Sequence, residues 1–461
     1  MLQRYFGDRA FLRRVLSFGI PILIQNGITT FVALLDNIMV GQVGTLQMSG
    51  VSVANQLIFI FNLCVFGANA GAGIFGAQFH GSGDKKGILH ATRFKLFMAL
   101  ALCGVAITLF AAWGPNLISL YLQGEGNPEE AAQTLAFGFE YMQVMLWGLV
   151  PFAISNVYAT TMRECDRTML PMVASVVAVL TNLCLNFVLI FGHFGFPAMG
   201  AKGAAIATVI SRFVELGILV IWSAFHPKAY AFFRGLYRSF YIPLDLFGKI
   251  LSKGMPLMVN EFMWSTGMAV LNQSYSTCGL QVVPAVNICE TLNNIASVGV
   301  IALGNTVGIL MGQMMGAGCS REEIQDSNKK IIRLGLVIGL VFGAAMAVGA
   351  PLFPYLYQVD GDIRQLASEL MLVLAVMKPV MAYLYCTYFT IRSGGKTWTT
   401  FFFDCGILWC FTVPVAVVLS RAAGLPILPL FICCQLVDFA KCLIGRHLLK
   451  KGDWIQNLAN K

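Results

Sequence analysis

The sequence predicts an all-α integral membrane protein: twelve transmembrane helices in two pseudo-symmetric six-helix lobes. Three observations lead there. The 461-residue chain is 57% hydrophobic and 11% charged, against roughly 25% charged in soluble domains. Written against itself with a shift of 235 residues, it aligns without a gap from Leu16 to Gly83, with fifteen of 68 pairs identical. Its basic residues gather on alternate connections, which gives the bundle an orientation.

Apolar runs of about 20 residues, long enough to cross a hydrocarbon layer as helices, recur in order. The first half holds Val15–Val40, Val53–Phe79, Thr92–Ala112, Leu135–Thr160, Met169–Phe191 and Gly203–Phe225. The second holds Ile250–Tyr275, Val283–Met314, Ile331–Leu356, Ala367–Ile391, Trp398–Leu419 and Leu428–Leu449. The first run is read as a membrane helix and not a cleaved signal, because it is long, carries Pro21 and Asp36, and has no small-residue cleavage site behind it. The division that follows is an N-lobe of 1–225, a linker of 226–249 and a C-lobe of 250–461. The linker is basic and contains Phe232, Phe233, Tyr237, Phe240 and Tyr241, a composition that suits lying along a membrane surface.

The repeat matches Leu16-Ser17-x-Gly19-x-Pro21 to Leu251-Ser252-x-Gly254-x-Pro256, and Gln78-x-x-Gly81-x-Gly83 to Gln313-x-x-Gly316-x-Gly318. An internal duplication in a very apolar chain is the pattern of a two-lobed membrane transporter. Pro21 and Pro256 each remove a helix hydrogen bond. They are candidates for gating kinks, with a static kink as the alternative.

Of 31 Lys and Arg, 25 lie at the N-terminus, at connections after even-numbered spans, or at the C-terminal tail. The positive-inside rule then puts both termini in the cytoplasm. The net charge of +9 is thereby a topology signal, and no nucleic-acid partner is expected. The thirteen Cys have no metal-ligand spacing with the five His and read as apolar filler.

Charges inside spans are costly and mark function by default. Asp36, Glu261, Glu290 and Asp404 have no partner at helical spacing, whereas Glu215 follows Arg212 by three residues and Lys441 follows Asp438 by three, so those two are expected to be structural ion pairs. Asp36, Asn182, Asn186 and Thr208 fall at one depth in the outer half of the N-lobe. A carboxylate with amide and hydroxyl oxygens suits a proton or a desolvated Na⁺. The alternative is an Asn-lined helix contact. In the C-lobe, Lys378 lies midway along its span and is expected to pair with Glu261 or Asp404, which lie roughly 12 Å above their helix ends. With Glu290 these form a candidate titratable cluster, either a proton relay or a static salt bridge. Trp147, Tyr158, Met263, Trp264 and Tyr385 are candidates for a cleft able to stack on flat cations.

The chain resembles the multidrug and toxic compound extrusion (MATE) family along essentially its whole length. The resemblance rests on Leu35-Asp36-Asn37-Ile38-Met39-Val40-Gly41, on Gly76-x-Gln78-x-x-Gly81-x-Gly83 with its second copy, on Asn182-x-x-x-Asn186 and on the turns at Arg163 and Arg392. It implies an antiporter, not an enzyme, that exports organic, often cationic, compounds in exchange for H⁺ or Na⁺ by alternating access. It needs no cofactor and works as a monomer in the bacterial inner membrane. It also implies that Asp36 binds the coupling ion, with Asn182 and Asn186 beside it. Several family members carry an acid where Asn186 stands, and some use acids in spans seven and ten; here Glu261 could stand for the former, while the tenth span offers Lys378. The rival expectation is a flippase for lipid-linked oligosaccharide or another metabolite, from the same wider superfamily.

Overall fold

The computed structural model describes residues 2–121, 128–279, 281–357 and 359–459. Among these the secondary structure is helical. A short α1 (Leu2–Phe6) precedes α2 (Arg9–Gly41), α3 (Thr45–Ser82), α4 (Lys85–Tyr121), α5 (Pro128–Glu164), α6 (Met169–Phe191) and α7 (Gly200–Phe225). The second half runs α8 (Leu244–Ser276), α9 (Val282–Gly316), α10 (Arg321–Gly349), α11 (Gly361–Ser393), α12 (Thr397–Phe401), α13 (Val413–Arg421) and α14 (Ile427–Lys451). Two π-helical turns, Phe402–Gly406 and Leu408–Thr412, carry α12 into α13 as one segment. Twelve long segments result, matching the twelve expected spans. Helix is the form that satisfies every backbone group where lipid offers no hydrogen bonds.

Eleven of the twelve are long and apolar enough to cross a membrane. The twelfth, α8, has 33 residues, and its Lys249, Lys253, Asn260, Glu261, Asn272 and Gln273 dilute the apolar signal. Several helices outrun the bilayer: α3, with 38 residues, is about 57 Å long at 1.5 Å per residue.

The chain divides into two compact units. One comprises Ile24–Gly76 and Lys85–Leu251, the other Met1–Leu23, Ala77–Asp84 and Ser252–Lys461. This follows the two halves of the sequence, except that the start of α2 and the end of α3 group with the second half. In α2 the division falls two residues after Pro21, and in α8 five residues before Pro256.

In the first unit an apolar cluster draws mainly on α3, α4, α5 and α7, including Ala54, Phe61, Leu96, Met142, Val157 and Ala205. The 226–249 segment is part of this unit. Arg93 of α4 donates to the carbonyls of Gly235 and Tyr241 at 2.9 and 3.1 Å. Leu236 is fully buried, while Tyr237, Phe240 and Tyr241 stay exposed, so the linker is seated on its bundle and keeps an aromatic edge outward.

In the second unit α10 packs on α11 through Gly335, Gly339 and Gly343, spaced by four residues on one helix face. A Cβ on Gly339 would lie 2.9 Å from the Lys378 carbonyl oxygen, and one on Gly343 2.5 Å from that of Ala375. Small residues at this spacing are how apolar helices come close without a hydrophobic driving force. The duplicated motif closes on itself in the same unit. A Cβ at Gly81 would overlap the Gln313 carbonyl, and one at Gly316 the Gln78 carbonyl. The two copies thus touch backbone to backbone, and glycine is required at both places. Gly83 and Gly318 then end their helices at φ +76° and +74°, the left-handed turn that glycine takes most cheaply.

Candidate functional site

In the first unit Asp36, near the end of α2, meets α6 and α7. Asn186 donates to Asp36 Oδ1 at 2.6 Å. The Asn182 amide is assigned with its nitrogen toward the carboxylate, 3.0 Å from both Asp36 oxygens, because the opposite orientation sets oxygen against oxygen. Its carbonyl then faces Thr208 Oγ1 at 3.2 Å. The four residues singled out from sequence are therefore in one hydrogen-bonded group. Their spacing explains it: Asn182 and Asn186 are one turn apart on the same face of α6. Around the group, Tyr141 donates to Asn55 Oδ1 at 3.1 Å. Arg212 adds a positive field while held to Glu215 at 3.5 Å and over the Phe152 ring. The Asn186 Oδ1 is buried and has no hydrogen-bond partner among the described residues. Chemically, the group offers a carboxylate held by two amide N–H donors in an apolar surround, which suits a proton as it stands; a hard monovalent cation would take the carboxylate with the amides turned to present their oxygens.

The second unit is arranged differently from the expectation. Lys378 pairs with neither Glu261 nor Asp404. Its Nζ donates to Asn293 Oδ1 and Ser297 Oγ, both at 2.6 Å, because its position on α11 faces α9. Asp404 is held instead by Lys441 of α14 at 2.8 Å and by Asn260 of α8 at 3.2 Å. That corrects a second expectation: Lys441 reaches across to the π-helical turn carrying Asp404, in place of the in-helix pair with Asp438. Glu290 accepts from Asn293 at 3.0 Å. Glu261 lies in the fields of Arg392 and Asp404. The four acids and bases thus form two groups, Glu290 with Lys378 and Glu261 with Asp404.

The aromatic candidates also separate. Tyr158 is 3% exposed, packs its ring against Phe233 with centroids 4.4 Å apart, and shares a 2.8 Å bond with Tyr237. It anchors the linker and does not line a cleft. Trp147 is 75% exposed. Met263 gives its carbonyl to Trp409 at 2.9 Å, Trp264 is exposed, and Tyr385 lies beside Asp404 and Glu261.

One charged pair escaped the sequence reading. Lys95 of α4, 1% exposed, contacts both Glu164 oxygens at 2.7 Å. A Cβ on Gly73 would sit 2.6 Å from Glu164 Oε1, and one on Gly76 would overlap Oε2, so two glycines of α3 make the room. The signal available was a lysine inside the Thr92–Ala112 run, where a charge calls for a partner. Beside it Arg163 donates to Gln25 at 2.6 Å.

The sequence model of the MatE family matches residues 21–188 and 256–418. The chain belongs to the MatE family. Among its relatives is the probable multidrug resistance protein NorM of Thermotoga maritima, 24% identical over 413 residues, covering 89% of this chain and 86% of the relative. The multidrug resistance protein MdtK of Photorhabdus laumondii is 22% identical over 423 residues, with 91% and 89% covered. In fold, this MatE chain matches an outward-facing MATE transporter of the MOP superfamily with a TM-score of 0.85 at 19% identity, over 98% of both chains. It also matches a point mutant of the Vibrio cholerae MATE transporter VcmN, with a TM-score of 0.84 at 16% identity over 97% of this chain and 98% of that one. The twelve-helix, two-half MatE architecture is therefore that of a multipass membrane transporter.

Proposed function

We propose that this MatE chain is a secondary antiporter that exports organic, amphipathic cations in exchange for H⁺ or Na⁺ by alternating access, with Asp36 carrying the ion. The reading is supported above all by the Asp36 group: one carboxylate inside an apolar span, bonded to Asn186 and within 3.0 Å of the Asn182 amide, with no lysine or arginine bonded to it among the described residues. An acid so placed gains or loses its cation at modest cost. An ion shifts a two-state equilibrium only by its difference in affinity for the two states, and this carboxylate supplies that difference. Both termini face the cytoplasm, the protein works as a monomer in the bacterial inner membrane, and no cofactor takes part.

The export of cations is favoured over the flipping of anionic lipid-linked sugars because the cations inside the spans are already engaged. Lys95 is bonded to Glu164, Arg212 to Glu215, Lys441 to Asp404 and Lys378 to Asn293 and Ser297. Three of these are neutralised by a carboxylate, and the fourth, Lys378, is fully buried and turned away from any phosphate. Pro21 and Pro256 serve as bending points, since the boundary between the two units falls near each of them.

The test is uptake of ethidium into proteoliposomes, driven separately by a pH gradient and by a Na⁺ gradient. Wild type is expected to respond to one of them, and Asp36→Asn to neither while keeping its melting temperature. Full ion-driven transport by Asp36→Asn would remove Asp36 from the coupling site.

A further inference from the structure

Lys378 sits midway along α11 and is fully buried, yet it bonds directly to no carboxylate among the described residues. Its three neighbours are Asn293 Oδ1 and Ser297 Oγ at 2.6 Å and the Asn293 backbone carbonyl at 3.2 Å. The polarity of each is fixed by another bond. The Ser297 hydroxyl donates its hydrogen to the Asn293 carbonyl at 2.7 Å, so only its lone pairs face the lysine. The Asn293 side-chain nitrogen donates to Glu290 Oε2 at 3.0 Å, which turns its oxygen toward Nζ. Nζ therefore faces three acceptors, and a lysine supplies three donors only as an ammonium. Glu290 provides the countercharge through one intervening amide.

Three oxygens from carbonyl, amide and hydroxyl groups, backed by a carboxylate, also form the donor set of a hard cation. The cage is closed behind by α10, where a Cβ on Gly343 would come within 3.2 Å of the Lys378 Cβ. It is not duplicated. The repeat sets Asn55, Ile58 and Asn62 against Glu290, Asn293 and Ser297, so the first half lacks the acid and the central amide.

We propose that Lys378 is a resident cation: its ammonium permanently fills an oxygen site of the second half that would otherwise take a coupling ion, so that this site takes no part in ion exchange. An ion on a covalent tether cannot leave, and the site cannot cycle. The assignment of the cage stands on its own geometry, while the consequence for coupling rests on the antiport reading above.

The experiment removes the tether. Purified protein carrying Asp36→Asn, to silence the ion site of the first unit, is compared with and without Lys378→Ala by thermal unfolding. Na⁺, Li⁺, ammonium and methylammonium are titrated against choline at constant ionic strength. The double variant is expected to melt lower and to recover about 2–4 °C, saturably, with the small cations. Asp36→Asn alone should not respond, and adding Glu290→Gln should abolish the recovery. No preference for small cations over choline in the double variant would overturn the proposal, as would an equal response when Lys378 is present.

If the alanine variant does not accumulate, Lys378→Arg and Lys378→Gln decide by transport. Retention of at least a third of the activity by Arg and less than a tenth by Gln is expected. Equal activity of the two would show that the charge is dispensable and sink the idea. Failure of wild type to couple uptake to any ion would refute antiport, and the melting experiment would still decide the cage.

Discussion

Glu164→Gln strands the Lys95 ammonium in a place where it is 1% exposed. The two 2.7 Å contacts correspond to an attraction of about 6 kcal/mol at an effective dielectric of 20, much of it offset by the desolvation of both ions. Removing one partner of such a pair costs about 3–5 kcal/mol, while replacing both with apolar residues of similar size is close to neutral. Thr161, whose hydroxyl lies 3.3 Å from Lys95, softens the loss slightly. The expected pattern is therefore non-additive. Glu164→Gln and Lys95→Met are each strongly destabilising, and Lys95→Met with Glu164→Leu recovers most of the loss. Gly76→Ala should mimic the single changes, because its methyl would occupy the space of Glu164 Oε2. The assay is the temperature at which detergent-solubilised protein loses half of its monodisperse peak. Single variants as stable as wild type, or a double variant that costs the sum of its parts, would refute the account of the pair.

Other expectations come from the second unit. Gly81→Ala and Gly316→Ala should each cost about 2 kcal/mol or more, since a methyl meets backbone that cannot move aside; a neutral result for either would show the close approach to be relaxed. Gln78 donates to the carbonyls of Ser393 and Gln456 and accepts from the Leu458 amide at 2.6 Å. Gln78→Ala should cost about 1–3 kcal/mol and make the chain after Gly452 susceptible to protease, so unchanged proteolysis would argue that the tail is held elsewhere. Trp454 is 2% exposed within an apolar cluster that includes Val15, Met311 and Ile324. Trp454→Ala should cost about 3–5 kcal/mol, read in the same melting assay.

How much of this is legible without coordinates depends on the range of the interaction. Twelve helices can be read from runs of apolar residues because the bilayer imposes the same length on each. Asp36, Asn182, Asn186 and Thr208 can be grouped because depth along a membrane helix is counted directly from sequence. The partner of Lys378 cannot be read the same way, because depth does not say which neighbour a helix face meets. Asp404 pairs with Lys441 of another helix, so spacing along its own helix does not reveal the partner. Tyr158 has the composition of a cleft residue and is a peg for the linker, a role set by a segment about 75 residues away.

The sequence by itself determined the membrane environment, the helix count, the duplication and the residues that could not sit in lipid without a reason. These follow from transfer free energies and from backbone requirements that act residue by residue. Tertiary structure alone decided which buried charges neutralise one another, that the duplicated glycines meet as a reciprocal backbone contact, and that a lysine is caged by oxygens. Helix packing makes those choices, since two side chains on different helices interact only when rotation and close approach bring them within about 3 Å.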